Sequence, residues 1–242
     1  MSRDFDQRDF RQLINACAYF NALRSVCGRG EYLSERSLTE PISEFAVSRG
    51  LNSKFNSEFN HPFLGSITAI GRPKQLDFAF TINGKVRVAI ETKWAPAAAS
   101  DVVADIARLG LMLSSPGAPV ERYFLLSGKN YDVNELLNRT MNMVGKRVSY
   151  FDEILPIDEK GDHTKSFLLH KLQPKLKKLW ADAILKQNPK RDLAVGAFCG
   201  LKISLIRKRD IQNHMTLGWK VERRRRFPLV TWETLEAWSS GK

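Results

Sequence analysis

Leu76-Asp77-Phe78-Ala79-Phe80-Thr81-Ile82, then Asn83-Gly84, then Lys85-Val86-Arg87-Val88-Ala89-Ile90-Glu91-Thr92-Lys93: the reading of this stretch decides the fold. Apolar side chains alternate with polar or small ones on both sides of the Asn-Gly pair. Period-two alternation marks a half-buried strand, and Asn-Gly between two such runs marks a β-hairpin. Its register follows from the apolar pattern. A plain two-residue turn pairs Ile82 with Lys85, so opposed residue numbers sum to 167, and Phe78 and Phe80 then share a face with Arg87 and Glu91. A three-residue loop or a bulge makes the sum even. Leu76, Phe78, Phe80 and Ile82 then share one face with Val86, Val88 and Ile90. Because a slip of one residue exchanges the faces, the core pattern demands the even register. Gly84 can supply the left-handed residue of a type I turn with a G1 bulge. Asp77, Glu91 and Lys93 then lie together on the other face.

Outward from the hairpin, residues 4–27 carry Phe10, Leu13, Ile14, Cys17, Phe20 and Leu23 at helical spacing and stop at Gly28-Arg29-Gly30. A second helix is expected from Ser34 or Ser37 to Arg49, with Pro41 in its first turn. Residues 51–74 read as loop. A helix is expected over 100–113, a strand over 122–127 and a helix over 131–144. The polar stretch 145–163 marks a boundary. Residues 164–187 show a helical stripe from Leu168 to Ile184, interrupted at Pro174. Residues 193–224 read as short strands, and 231–238 as a last helix. Two units are therefore expected: a core over 1–150 and a basic α+β extension over 151–242.

Composition narrows the function classes. The 242 residues (27.6 kDa) are 43% hydrophobic and 26% charged, enough apolar material for a sizeable core. No apolar run reaches the roughly 18 residues of a membrane span. Met1 to Asp6 has no apolar h-region, so no secretory signal is expected. Cys17, Cys27 and Cys199 have no disulfide-framework or zinc spacing, which fits a reducing cytoplasm. His61, His163, His170 and His214 are scattered. The net charge is +12, and residues 165–226 alone hold 17 basic and 4 acidic side chains. A segment this basic reads as a polyanion-binding surface. Arg207, Lys208 and Arg209 form one cluster, and Arg223, Arg224, Arg225 and Arg226 another. Both suit phosphate backbone contact rather than base reading.

Two carboxylates and an ammonium on one strand face have a specific use. Neighbouring carboxylates repel, and a hard divalent cation relieves this. Mg²⁺ takes oxygen ligands, retains waters and favours phosphate. A lysine beside it can orient water or neutralise charge that develops on a phosphoryl group. This is equipment for phosphodiester hydrolysis.

Asp77, thirteen intervening residues, then Glu91-Thr92-Lys93 resembles the PD-(D/E)xK nuclease superfamily, over roughly residues 31–128. The resemblance implies an α/β restriction-endonuclease-like fold, a mixed β-sheet flanked by helices, in a Mg²⁺-dependent nuclease with Mn²⁺ as a substitute. It implies Asp77 and Glu91 as metal ligands, the Thr92 carbonyl as a third, and Lys93 acting on the attacking water. Pro73 lies four residues before the aspartate rather than beside it. The family often adds an acid from its first core helix: Glu40 is favoured here, with Glu35 next, and Glu44 lies on the same helical face as Glu40. A polar residue of the following helix often meets the scissile phosphate, which points to Arg108. Nucleic acid, DNA before RNA, is the implied partner; a homodimer or a protein partner stays open. The alternative is a catalytically silent nucleic-acid-binding or scaffolding subunit with the same fold.

Overall fold

The computed structural model describes residues 5–51, 54–62, 64, 74–112, 119–143, 146–149, 151–157, 163–187, 200–224 and 230–241. The fold is α/β, built on a seven-stranded mixed sheet. The elements in chain order are α1 (Gln7–Arg24), α2 (Thr39–Ser48), β1 (Phe55–Asn60), β2 (Gln75–Ile82), β3 (Lys85–Ala95), α3 (Ala99–Leu111), β4 (Glu121–Lys129) and α4 (Asn130–Leu137). A small hairpin of β5 (Thr140–Met143) and β6 (Lys146–Ser149) follows. Then come β7 (Thr164–Leu168), α5 (Pro174–Gln187), β8 (Gly200–Ile211), β9 (His214–Arg224) and α6 (Trp232–Ser240). The sheet order is β1-β2-β3-β4-β9-β8-β7. Among the described residues only β3 and β4 pair in parallel, with α3 as their crossover; the other described pairs are antiparallel.

The hairpin reaches the even register through a bulge, one of the two devices expected, but the bulge lies within β3 rather than at Gly84. Asn83 (φ 51°) and Gly84 (φ 71°) are both left-handed, as a two-residue I′-type turn requires. Ile82 therefore pairs with Lys85 and Thr81 with Val86. A bulge beside Phe80 then inserts Arg87, and from there Phe80 pairs with Val88 and Phe78 with Ile90. Val86, on the turn side of the bulge, packs into the opposite core from Val88.

Each sheet face buries its own core. Phe78, Phe80, Val88, Ile90, Tyr123 and Leu125 pack under α1 and α2 against Phe10, Leu13, Ile14 and Ile42. Phe124, Leu126, Leu217 and Trp219 line the other face, with apolar positions of α3, α4, α5 and α6. Asp6 caps α1 by accepting from the Arg8 and Asp9 amides, while the Asp9 carboxylate accepts from the Asp6 amide. Cys17 belongs to the α1 core, and burial pushes its thiol up to about 12, which suits packing rather than reactivity.

Several expectations shift. The stretch 51–74, expected as loop, contains edge strand β1. Leu168, grouped with a helical stripe, ends strand β7, and the helix starts at Pro174, where a missing N–H costs nothing. The expected short strands of 193–224 are two long ones, β8 and β9. Strands from both sides of residue 150 share one sheet, and α5 packs on α3. Among the described residues no helix is long and apolar enough to cross a membrane.

Candidate active site

Strand β3 presents Glu91 and Lys93 to α3, which brings Asp105 and Arg108. Continuing the β2–β3 pairing one step from Phe78–Ile90 sets Asp77 beside Glu91. The Asp77 carboxylate is fixed by β3 itself: its Oδ2 accepts from the Thr92 amide (2.7 Å) and the Thr92 hydroxyl (3.0 Å). Arg108 holds the buried acids. Its guanidinium donates to Glu91 Oε2 (2.7 Å) and to the Gln75 carbonyl (3.3 Å), and pairs with Asp105 Oδ1 at 3.2 Å. Its Nε donates to Gln187 Oε1 at 3.4 Å. Lys93 Nζ lies 3.0 Å from Asp105 Oδ2 and 3.0 Å from Glu35 Oε2.

Glu91 is 0% exposed, and its Oε1 is buried without a hydrogen-bond partner. Burial, then the neighbouring Asp77 charge, push its carboxyl well above the usual carboxylate range, against the pull of Arg108. Burial likewise raises Asp105 to about 6, while Arg108 and Lys93 oppose it. Lys93 moves the other way from its own burial: Asp105 and Glu35 raise its ammonium above the ordinary lysine value. Lys93 is thus a cation throughout the neutral range.

Four carboxylates (Asp77, Glu91, Asp105, Glu35) meet two cations (Lys93, Arg108), a formal balance of −2 when all are ionised. One divalent cation would neutralise that balance. The orphaned Glu91 Oε1, beside Asp77, is the kind of hard oxygen such an ion takes. Among the described residues no group of three or more His, Cys, Asp or Glu side chains is arranged to hold a metal. The donor set that the resemblance implies, Asp77, Glu91 and the Thr92 carbonyl, has fewer side chains than that; of its carboxylate oxygens, Glu91 Oε1 is left without a partner while Asp77 Oδ2 is taken by Thr92.

A cleft of about 600 Å³ opens in front of Asp77, lined by Glu35, Arg36, Ser57, Glu58 and Thr92 among others. The β1–β2 pairing, Ser57 with Phe78 and Phe59 with Leu76, sets Glu58 opposite Asp77. Acids therefore follow one another across three strands: Glu58, Asp77, Glu91. Glu58 has φ 50°, an uncommon state for a residue with a side chain, and such residues gather at functional sites. The sequence reading missed Glu58 because β1 was missed. The β-strand signal was faint, only Phe55 and Phe59 among Asn, Ser and Glu.

Two assignments change. Glu40, favoured as the additional acid, is held by Arg24, whose Nη2 donates to both carboxylate oxygens at 2.8 and 2.7 Å. The acid that reaches Lys93 is Glu35. Residues Glu35–Leu38 form a 3₁₀ turn before α2 begins at Thr39, so 35, 40 and 44 do not sit on one helical wheel. Glu44 is exposed on α2. Arg108, expected at the scissile phosphate, spends its donors on Glu91, Asp105, Gln75 and Gln187 instead.

The basic clusters do not form one surface. Arg207, Lys208 and Arg209 on β8 pair with Gly218, Leu217 and Thr216, whereas Arg223 and Arg224 pair with Leu201 and Gly200 at the other end of the β8–β9 hairpin. Seven residues of β9 separate the two levels, about 23 Å at ~3.3 Å per residue. Arg225 and Arg226 lie outside the described residues. Lys93, Leu126, Leu217 and Lys208 follow one another across four strands, which places Lys208 about 14 Å from Lys93 on the same face. Arg209 donates to Asn15 of α1 (2.9 Å).

Comparison of the chain with known family models, curated proteins and solved structures finds no match.

Proposed function

We propose that the chain is a metal-dependent nuclease with a restriction-endonuclease-like core, hydrolysing phosphodiester bonds in nucleic acid, DNA before RNA. The observation that carries this reading is the meeting of Asp77, Glu91 and Lys93 around a buried network two positive charges short of neutrality. Asp77, Glu91 and the Thr92 carbonyl would hold Mg²⁺ or Mn²⁺. When bound, the ion supplies a Lewis acid and lowers the pKa of water.

The chain's own residues then have separate tasks. Thr92 aims Asp77 through two hydrogen bonds. Arg108 favours the ionised forms of Glu91 and Asp105 despite their burial. Lys93, held between Asp105 and Glu35, offers a permanent positive charge to an oxygen that gains negative charge. Its protonated state suits that role and not proton abstraction. One observation favours the alternative of a silent binding subunit: Arg108 already supplies a cation to Glu91.

The test compares wild type with Asp77→Ala and Lys93→Ala, measuring Mn²⁺ binding by calorimetry and cleavage of single-stranded DNA, duplex DNA and RNA. Asp77→Ala is expected to lose metal binding and cleavage together. Lys93→Ala is expected to keep metal binding, since an ammonium is not a ligand, and to lose cleavage by about 10²-fold or more. Cleavage by both variants at the wild-type rate, or a wild type that binds no metal and cuts nothing, sinks the nuclease reading.

A further inference from the structure

A second cavity, of about 410 Å³, lies behind the same 3₁₀ turn that walls the cleft. Glu35, Arg36 and Thr39 face the cleft at Asp77, while Ser37 and Glu40 face this cavity. The two spaces are thus one helical turn apart. The cavity is lined by two aromatic rings, Phe20 and Tyr32, and two arginines, Arg24 and Arg29. Arg24 is already committed: its guanidinium lies 5.0 Å from the Phe20 ring centroid and is gripped by Glu40. Tyr32 is uncommitted and 76% exposed, so its ring is open to a stacking partner at the wall of the cavity. Arg29 beside it and Arg36 at the cleft are both exposed, and neither has an ion-pair partner among the described residues.

An aromatic platform next to unpaired arginines, one turn from a phosphodiester cleft, matches the chemistry of an unpaired nucleotide. Its base needs a ring to stack on, and its phosphate needs a cation. The volume lies within the about 300–1,000 Å³ of small-ligand pockets. A duplex fits less well. It hides its base faces, and it would bring two phosphate chains to a cleft where Glu35, Glu58 and Asp77 outnumber Arg36. We propose that the Phe20–Tyr32 cavity is a subsite for an unpaired nucleotide of a single-stranded nucleic acid, with the base stacked on Tyr32, its phosphate at Arg29, and the adjoining phosphodiester led past Arg36 to Asp77. The inference rests on the nuclease reading for the identity of the substrate. It gives Glu40 a use that the catalytic assignment did not: Glu40 fixes Arg24 as part of the cavity wall.

The test measures binding without catalysis. A short fluorescein-labelled thymidine oligomer is titrated with the full chain in EDTA, and anisotropy is read at several salt concentrations. Tyr32→Ala is expected to weaken binding about tenfold or more, and Tyr32→Phe to stay near wild type, because stacking needs the ring and not the hydroxyl. Arg29→Ala should weaken binding and reduce the salt slope by about 0.7, the share of one phosphate contact on a single strand. A blunt duplex should bind wild type less tightly and respond little to Tyr32→Ala. Wild-type affinity in Tyr32→Ala, or an equal loss in Tyr32→Phe, overturns the subsite, as does a wild type that does not bind the oligomer. The nuclease reading fails separately: a wild type that binds the oligomer through Tyr32 and leaves it intact with Mg²⁺ or Mn²⁺ keeps the subsite and loses the activity.

Discussion

Arg108 holds Glu91 and Asp105 with a single guanidinium, on a side chain that is only 17% exposed. Its value lies in what its loss would leave behind. Without it the buried Glu91 has no paired cation, while Asp105 keeps only Lys93, and breaking a buried pair from one side costs about 3–5 kcal/mol. Arg108→Met is therefore expected to lower stability by that order in urea unfolding, and a loss under about 1 kcal/mol would mean that the acids are already protonated in the native protein. His61 fixes the same helix end from outside. Its ring lies 3.3 Å from the Arg108 carbonyl through Nε2, and its Nδ1 accepts from the Leu64 amide at 3.0 Å. This pattern needs the neutral imidazole, with the proton on Nε2. Burial is the main cause that lowers its pKa from 6.5 to about 4. The folded-state pKa lies below the unfolded one, so as pH falls the unfolded chain takes the proton first. The stability tied to His61 is full above about pH 6.5 and is lost progressively down to about pH 4, on the order of 3 kcal/mol. Melting at a series of pH values should show this slope, and His61→Gln should flatten it. The role of His61 was not legible in the sequence, where it is one of four scattered histidines; the i,i+3 spacing of Asp105 and Arg108 does announce their pair, but the hold of Arg108 on Glu91 comes only from the packing of α3 on β3.

At the level of elements, the sequence carried the hairpin, the even register over residues 78–80 and the nearness of Asp77 to Glu91, because alternation is a local signal that a one-residue slip would scramble. Leu76 and Val86, expected on the Phe78 face, pack into the other core. The bulge position was not legible: Arg87 could leave the ladder only once the I′-type turn was fixed. Glu35 was ranked behind Glu40 because a 3₁₀ turn and an α-helix look alike in a sequence but turn by different angles. The seat of α1 on the sheet was also hidden, since it depends on a glycine far along the chain. A Cβ at Gly218 of β9 would lie 2.3 Å from Ile14 Cδ1 and 2.7 Å from Phe10 Cε1. These contacts let α1 lie close on the sheet. Gly218→Ala should force both side chains aside at a cost of about 1–3 kcal/mol, the usual range for overpacking. A thermal melt reads this directly; an unchanged midpoint would mean that Ile14 and Phe10 repack freely.

For the whole molecule, the excess charge is real but divided, and the division predicts how salt acts on binding. A +13 balance over residues 165–226 reads in sequence as one polyanion-binding surface. The β8–β9 hairpin separates it, because basic residues grouped near the turn and near the open end of a hairpin lie at opposite ends of its strands. Lys208 shares its row with Lys93, whereas Arg223 and Arg224 stand near the level where β4 begins. That distance, about 20 Å along the strands, exceeds the roughly 8 Å screening length at physiological salt. Arg223 and Arg224 therefore contribute little to holding a short strand at the candidate site. Replacing Lys208 and Arg209 with alanine should weaken binding of a short single strand and reduce the salt slope by about 0.7, the share of one phosphate contact at Lys208, because Arg209 points to the α1 face and is held by Asn15. Replacing Arg223 and Arg224 should leave the slope for the same short strand unchanged and lower it only for a longer one that reaches the far end. The measurement is a salt titration of both double variants against a short and a long oligonucleotide. An equal loss of slope for the short strand in both variants would place the nucleic acid across the β8–β9 hairpin, and would detach the basic segment from the acids on β2 and β3.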